Sequence, residues 1–151
     1  MTGWRVGWLV VPQEFVRPVE KLAQNIFIAA PTVSQHAALT ALKPQTLSIL
    51  EQRRVEFQKR RDYLLPELRK MGFDIPVTPE GAFYIYGKCS RFTTNSFTFA
   101  MNILKSTGVA FTPGLDFGTH DARQHVRFAY TTSLDNLQEG VKRLREALAA
   151  F

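Results

Sequence analysis

Cysteine is almost missing from this chain: Cys89 is the only one in 151 residues. No internal disulfide can form and a multi-cysteine metal centre is excluded; Cys89 reads as a buried or half-buried thiol. Long apolar runs are missing as well, none approaching the roughly 18 residues of a membrane-spanning helix. The opening Met1-Thr-Gly-Trp-Arg lacks the basic-then-apolar layout of a signal peptide. These absences make the cytoplasm the expected location and give no reason to expect a membrane partner. There is no glycine-rich phosphate cradle of the P-loop or dinucleotide type. His36, His120 and His125 lack metal-ligand spacing and read as surface or structural residues, so no metal is expected.

What the chain does hold suits a packed domain. Hydrophobic residues make up 45% and charged residues 21%, too apolar for a disordered chain. A chain of this length can bury roughly two-thirds of its unfolded surface. The net charge is +6, and basic residues gather between Glu51 and Asp62, with Arg69 and Lys70 beyond. There Glu56 precedes Lys59 by three residues and Arg60 by four, the spacing of a solvated helix face. Neither a zinc finger nor an RNA-recognition signature accompanies it, so no nucleic-acid partner is expected.

The hydrophobic periods divide the chain. Trp4 to Val11 reads as a buried strand closed by Pro12. Gln13 to Ala30 reads as a helix with Pro18 at a start or kink, and Ser34 as the cap of a short helix over 35–42. A long helix is predicted from Pro44 to about Met71, with Leu50, Phe57, Leu64 and Met71 in one stripe, a bend at Pro66 and a stop at Gly72. Strands are predicted over 82–86, 109–112 and 125–130. Helices are predicted over 95–107, capped by Thr94 or Asn95, and after Ser133. The fold class is α/β, its later part an α+β domain: a small sheet covered by helices. A lone first strand needs neighbours that the chain does not obviously supply, so a piece of a longer protein is expected.

Two arginines sit inside predicted strands. Alternation places Arg5 on a face with Gly3 and Gly7, where a ligand can approach the backbone. Arg127 shares its face with Ala129, while Val126, Phe128 and Tyr130 point the other way. A guanidinium is a planar fork that matches a carboxylate or phosphate through two parallel hydrogen bonds. A structural ion pair would satisfy each arginine equally well, and both readings stay open on spacing alone. The turn-rich Pro113-Gly-Leu-Asp-Phe-Gly118 is a loop of the kind that borders sites.

Four ordered segments carry a resemblance. Met1-Thr-Gly-Trp-Arg-Val-Gly-Trp8 resembles the segment after the Schiff-base lysine in class I and II pyridoxal-phosphate aminotransferases (fold type I, the aspartate aminotransferase family). Pro79-Glu-Gly-Ala-Phe-Tyr84, Thr112-Pro-Gly-Leu-Asp-Phe-Gly118 and Val126-Arg-Phe-Ala-Tyr-Thr-Thr-Ser-Leu134 resemble later small-domain landmarks in family order. The resemblance implies that Arg5 binds the phosphate of pyridoxal 5'-phosphate. It implies that Arg127 clamps the α-carboxylate of an amino-acid or 2-oxo-acid substrate and that Gly114 helps shape the site wall. It also implies a homodimeric parent, with Thr32 and Ser34 near the neighbouring subunit. Residues 1–45 would be a remnant of the large cofactor domain, and 46–151 the connecting helix and small domain.

The same resemblance places the Schiff-base lysine before Met1, and none of the seven lysines present replaces it by motif. The partners of the cofactor ring are also missing. Catalytic residues are therefore expected to be absent. The expectation is a fragment of an aminotransferase, inactive alone because its chemistry needs that lysine. The alternative is a non-catalytic binding or regulatory module that kept the fold.

Overall fold

Among residues 2–149, which the computed structural model describes, the chain forms five α-helices and three strands. They fall into two compact units, Met1–Arg53 and Arg54–Phe151.

In the first unit a 3-10 turn over Thr2–Trp4 leads through an irregular stretch to α1 (Gln13–Ile26) and α2 (Thr32–Ala41); α3 then starts at Pro44. The strand expected over Trp4–Val11 does not form. Arg5 adopts φ 52°, in the left-handed region, and residues 6–12 carry no regular structure. An extended segment needs a neighbour for its N–H and C=O groups, and no strand forms in this unit to supply one. The shared face of Gly3, Arg5 and Gly7 therefore does not form either, and Trp8, Leu9 and Val10 are exposed. Met1, the first residue of that motif, lies outside the described residues.

Helix α1 ends short of Ala30. Ile28 takes φ 68°, and Ala30 precedes Pro31, whose ring disfavours a helical residue before it. The helix continues through Pro18, which forfeits one backbone hydrogen bond. Helix α2 begins at Thr32 with Pro31 at its N-cap, so Ser34 is not a cap. The residue before a helix needs only extended backbone geometry, which Pro31 provides at φ −57°, ψ 136°; Ser34 is drawn inside and buried.

The second unit is built on the last part of α3 (Pro44–Met71), which contributes Leu64, Leu65 and Leu68 to the core. The helix runs through Pro66 and stops at Gly72, φ 106°, as its left-handed geometry demands. Earlier in α3 the apolar stripe is not covered: Leu47 and Leu50 are about half exposed. The sheet has the order β1-β3-β2, all antiparallel, from β1 (Tyr84–Lys88), β2 (Thr112–Pro113) and β3 (His125–Ala129). The strand expected over 109–112 is thus confined to its last residue and Pro113.

Helix α4 (Ser96–Thr107) is capped by the Asn95 side chain, which accepts from the Phe97 and Thr98 N–H groups, and ends on Gly108 at φ 74°. Helix α5 (Leu134–Leu148) is capped by Ser133, which accepts from Asn136 N–H. Inward residues alternate with outward ones along both long strands. Ile85, Val126 and Phe128 join Leu137, Val141, Leu144 and Leu148 of α5 in the core. Phe73, Phe99, Phe111 and Phe128 pack there ring against ring at 4.9–6.5 Å, the offset and edge-on range that aromatic quadrupoles favour. Arg60 and Arg61 of the basic stretch donate to the Thr131 and Pro79 carbonyls, so part of that charge fastens loops to α3.

Candidate functional site

The face of the sheet turned away from this core carries Arg127. Strand alternation sends Val126 and Phe128 inward, and Arg127 follows the opposite phase on β3. Because β3 is the middle strand, Arg127 is flanked by Tyr86 of β1 on one side and Thr112 of β2 on the other. Register therefore brings a tyrosine and a threonine beside the guanidinium from segments 41 and 15 residues away in the numbering.

The guanidinium carbon lies 4.4 Å from the centre of the Phe117 ring and 5.4 Å from that of Tyr84, both within cation–π range. One Nη donates to Thr112 Oγ1 at 3.4 Å, a long and weak bond. Nε is buried and has no acceptor, and among the described residues no carboxylate forms an ion pair with Arg127. A buried orphan donor costs about 1–3 kcal/mol, and an acceptor brought by a ligand would relieve it. The arginine opens on a cleft of about 550 Å³ walled by Tyr84, Tyr86, Phe117 and His120.

The rest of the cleft is tied down by its own contacts. Tyr86 stacks on His125 with ring centres 5.0 Å apart and planes 3° off parallel. Burial raises the Tyr86 phenol above its ordinary value. Lys88 Nζ donates to Asp121 Oδ2 at 2.9 Å, and that hydrogen bond holds the Asp121 carboxyl below the usual range. His125 Nδ1 sits 2.9 Å from the Asp121 carbonyl oxygen. Gly114 opens the 3-10 turn Gly114–Asp116. A side chain there would meet the Ala122 carbonyl at 2.5 Å, the Tyr86 hydroxyl at 2.6 Å and the His125 carbonyl at 2.8 Å. The turn therefore seats directly on the site, and Phe117 N–H closes it on the Gly114 carbonyl at 2.9 Å.

A profile described as aminotransferase class I and II matches residues 1–144. The chain belongs to this family. It is 37% identical over 144 residues to the valine–pyruvate aminotransferase of Mycobacterium tuberculosis, covering 95% of this chain and 37% of that one. To the (5-formylfuran-3-yl)methyl phosphate transaminase of Methanocaldococcus jannaschii it is 36% identical over 148 residues, 98% of this chain and 39% of the other. A crystal structure of an aminotransferase from Mycobacterium tuberculosis superimposes with a TM-score of 0.91 at 36% identity, over 100% of this chain and 39% of that one. The chain thus spans less than two-fifths of the length of these relatives. The cofactor of the family is pyridoxal 5'-phosphate.

Arg5 lies in the first unit, Arg127 in the second. Arg5 is exposed in a turn, on the rim of a cavity of about 790 Å³ that Gly7, Trp8 and Val19 also line. Open space surrounds the positions where Gly3 and Gly7 lack side chains. A cation beside unobstructed backbone fits a phosphate group. The sequence reading missed Tyr84, Tyr86 and His120 as walls of the cleft. Tyr84 and Tyr86 carried a signal, since alternation puts both on one strand face; His120 carried none, being brought in by a loop. Phe117 was visible only as part of a loop.

Proposed function

We propose that this chain is the carboxylate-anchoring portion of a pyridoxal-phosphate-dependent aminotransferase, which moves an amino group between an amino acid and a 2-oxo acid. The observation that carries the reading is Arg127: a guanidinium on an open cleft, with a buried Nε that lacks an acceptor and, among the described residues, no carboxylate partner. Its fork binds the substrate's α-carboxylate and fixes the direction from which the α-carbon is presented. Arg5 holds the cofactor phosphate through charge and hydrogen bonds, with Gly7 on the same cavity leaving room for it. The cofactor, when bound, supplies the electron sink for negative charge at the substrate α-carbon. Residues 1–45 belong on this reading to the large cofactor domain and 46–151 to the connecting helix and small domain. Homodimerisation and a cytoplasmic location are carried over with the family resemblance. These 151 residues alone do not transaminate, because none of their lysines stands where the family's cofactor-bonding lysine does.

The test is a titration of the chain with pyruvate, followed by NMR. Losing a charge-assisted bidentate pair costs about 1.5–3 kcal/mol, so Arg127→Gln should weaken binding by roughly 10- to 100-fold. Equal binding by wild type and Arg127→Gln would refute the anchor. Incubation with pyridoxal phosphate and an amino acid should release no 2-oxo acid; turnover by the chain alone would refute the predicted inactivity.

A further inference from the structure

A site arginine that waits for a carboxylate faces a conflict. It must be held in one orientation, yet an Asp or Glu holding it would occupy the N–H edge that the ligand needs. Arg127 has no such partner among the described residues, and its one polar contact, to Thr112 Oγ1 at 3.4 Å, is too long to fix a plane. What it does have are two ring faces, Phe117 at 4.4 Å and Tyr84 at 5.4 Å from the guanidinium carbon. A ring face attracts a cation through its quadrupole and takes none of its five donors.

We propose that Phe117 and Tyr84 are positioning residues for the carboxylate anchor, orienting the Arg127 guanidinium by cation–π contact while leaving its hydrogen-bonding edge free for the substrate. The inference rests on the carboxylate reading above. The two rings come from independent elements. Tyr84 opens β1 and meets Phe83 edge-on at 5.6 Å. Phe117 follows the 3-10 turn of Gly114–Asp116 and meets the Tyr86 ring nearly perpendicularly, at 6.4 Å and 84°. Tyr86 thus braces Phe117 from β1, and the Gly114 turn braces it through the backbone. Phe117 is the nearer ring and the larger contributor. It is also half exposed (49%), more than a core-packing role would leave it.

The experiment compares wild type with Phe117→Leu, Phe117→Met, Phe117→Tyr and Tyr84→Leu in the 15N-labelled chain. The order parameter of the Arg127 Nε–H bond is read without ligand, and the pyruvate dissociation constant by titration. Phe117→Leu keeps apolar bulk and removes the ring, so the order parameter should fall and the dissociation constant rise about three- to tenfold. Phe117→Tyr keeps the ring face and should hold both at wild-type values, whereas Phe117→Met, comparable in bulk but without a ring, should behave like Phe117→Leu. Tyr84→Leu should act in the same direction and more weakly; it is the second arm if Phe117→Leu fails to fold. Unchanged Nε order and unchanged affinity in both leucine variants would overturn the proposal while leaving the anchor standing. A loss in Phe117→Leu that Phe117→Tyr shares, or that Phe117→Met escapes, would overturn it too. Wild-type chain that binds no pyruvate, with Nε order still ring-dependent, would support the positioning and refute the carboxylate reading.

Discussion

Replacing Gly114 by alanine tests how tightly the site is built. The added carbon would stand 2.5 Å from the Ala122 carbonyl oxygen and 2.8 Å from that of His125. Neither oxygen can rotate aside, because both belong to the backbone; the Tyr86 hydroxyl, at 2.6 Å, can move only with its stacked ring. Overpacking of this kind costs about 1–3 kcal/mol, and two immovable contacts put it at the upper end. Loss of glycine's freedom in the unfolded chain returns about 0.4–1 kcal/mol, leaving a net destabilisation of about 2 kcal/mol. In a unit of this size that lowers the melting temperature by roughly 8–16 °C. The control is Gly118→Ala, four residues on, where the new carbon meets nothing within 4 Å; it should melt at or slightly above wild type. Thermal unfolding by circular dichroism, with urea titration for the free energy, reads both. Should Gly114→Ala melt within two or three degrees of Gly118→Ala, the contact argument is wrong.

Three other perturbations have defined signs. Ala82 carries φ 61° just ahead of β1, where Tyr130 OH donates to its carbonyl at 3.2 Å. Relieving the left-handed penalty of about 1–2 kcal/mol, less glycine's unfolded-state entropy, should make Ala82→Gly more stable by about 0.5–1 kcal/mol; a lower urea midpoint would count against it. Glu67 accepts from Lys70 at 2.7 Å and pairs with Arg145 across α3 and α5, and the Lys70 hydrogen bond first of all holds its carboxyl low. A folded-state value below the unfolded one means stability present above about pH 4.3 and lost as pH falls through the lowered value. Glu67→Gln should flatten that acid limb in pH-dependent urea melts. Cys89 is fully buried, its thiol pushed up to about 11 by desolvation and donating to the Gln124 carbonyl at 3.2 Å. Iodoacetamide at pH 8 should label it only as fast as the unit opens, and rapid labelling of the native chain would contradict the packing.

The helices of the second unit were legible because their ends are written locally. Asn95, Gly108, Ser133 and Gly72 each act within a few residues of themselves. The α+β character and the phase of Arg127 on its strand were legible for the same reason. The misread strands and the missed site walls share one cause, which is that pairing is not local. Trp4–Val11 has the composition of a strand, but composition supplies no neighbour, and Arg5 turns instead. Val109 to Phe111 read as extended yet stay outside the ladder that Thr112 and Pro113 join. Likewise Tyr86 meets Arg127 only through register, and Phe117 reaches it only because Gly114 lets its turn approach. Ser34 shows the opposite error: a residue with capping chemistry was assigned the cap while Pro31 held it.

The placement of Arg127 on the middle strand has a consequence for how such a site diversifies. Its backbone is secured by partners on both sides, whereas Phe117 and His120 ride on a loop outside the ladder. On the proposed reading, substitution at His120 can recast the wall that meets the variable part of a ligand while leaving Phe117, the ring that orients the anchor, in place. The fold thereby separates a constant task from an adjustable one and leaves selection free to work on the second alone.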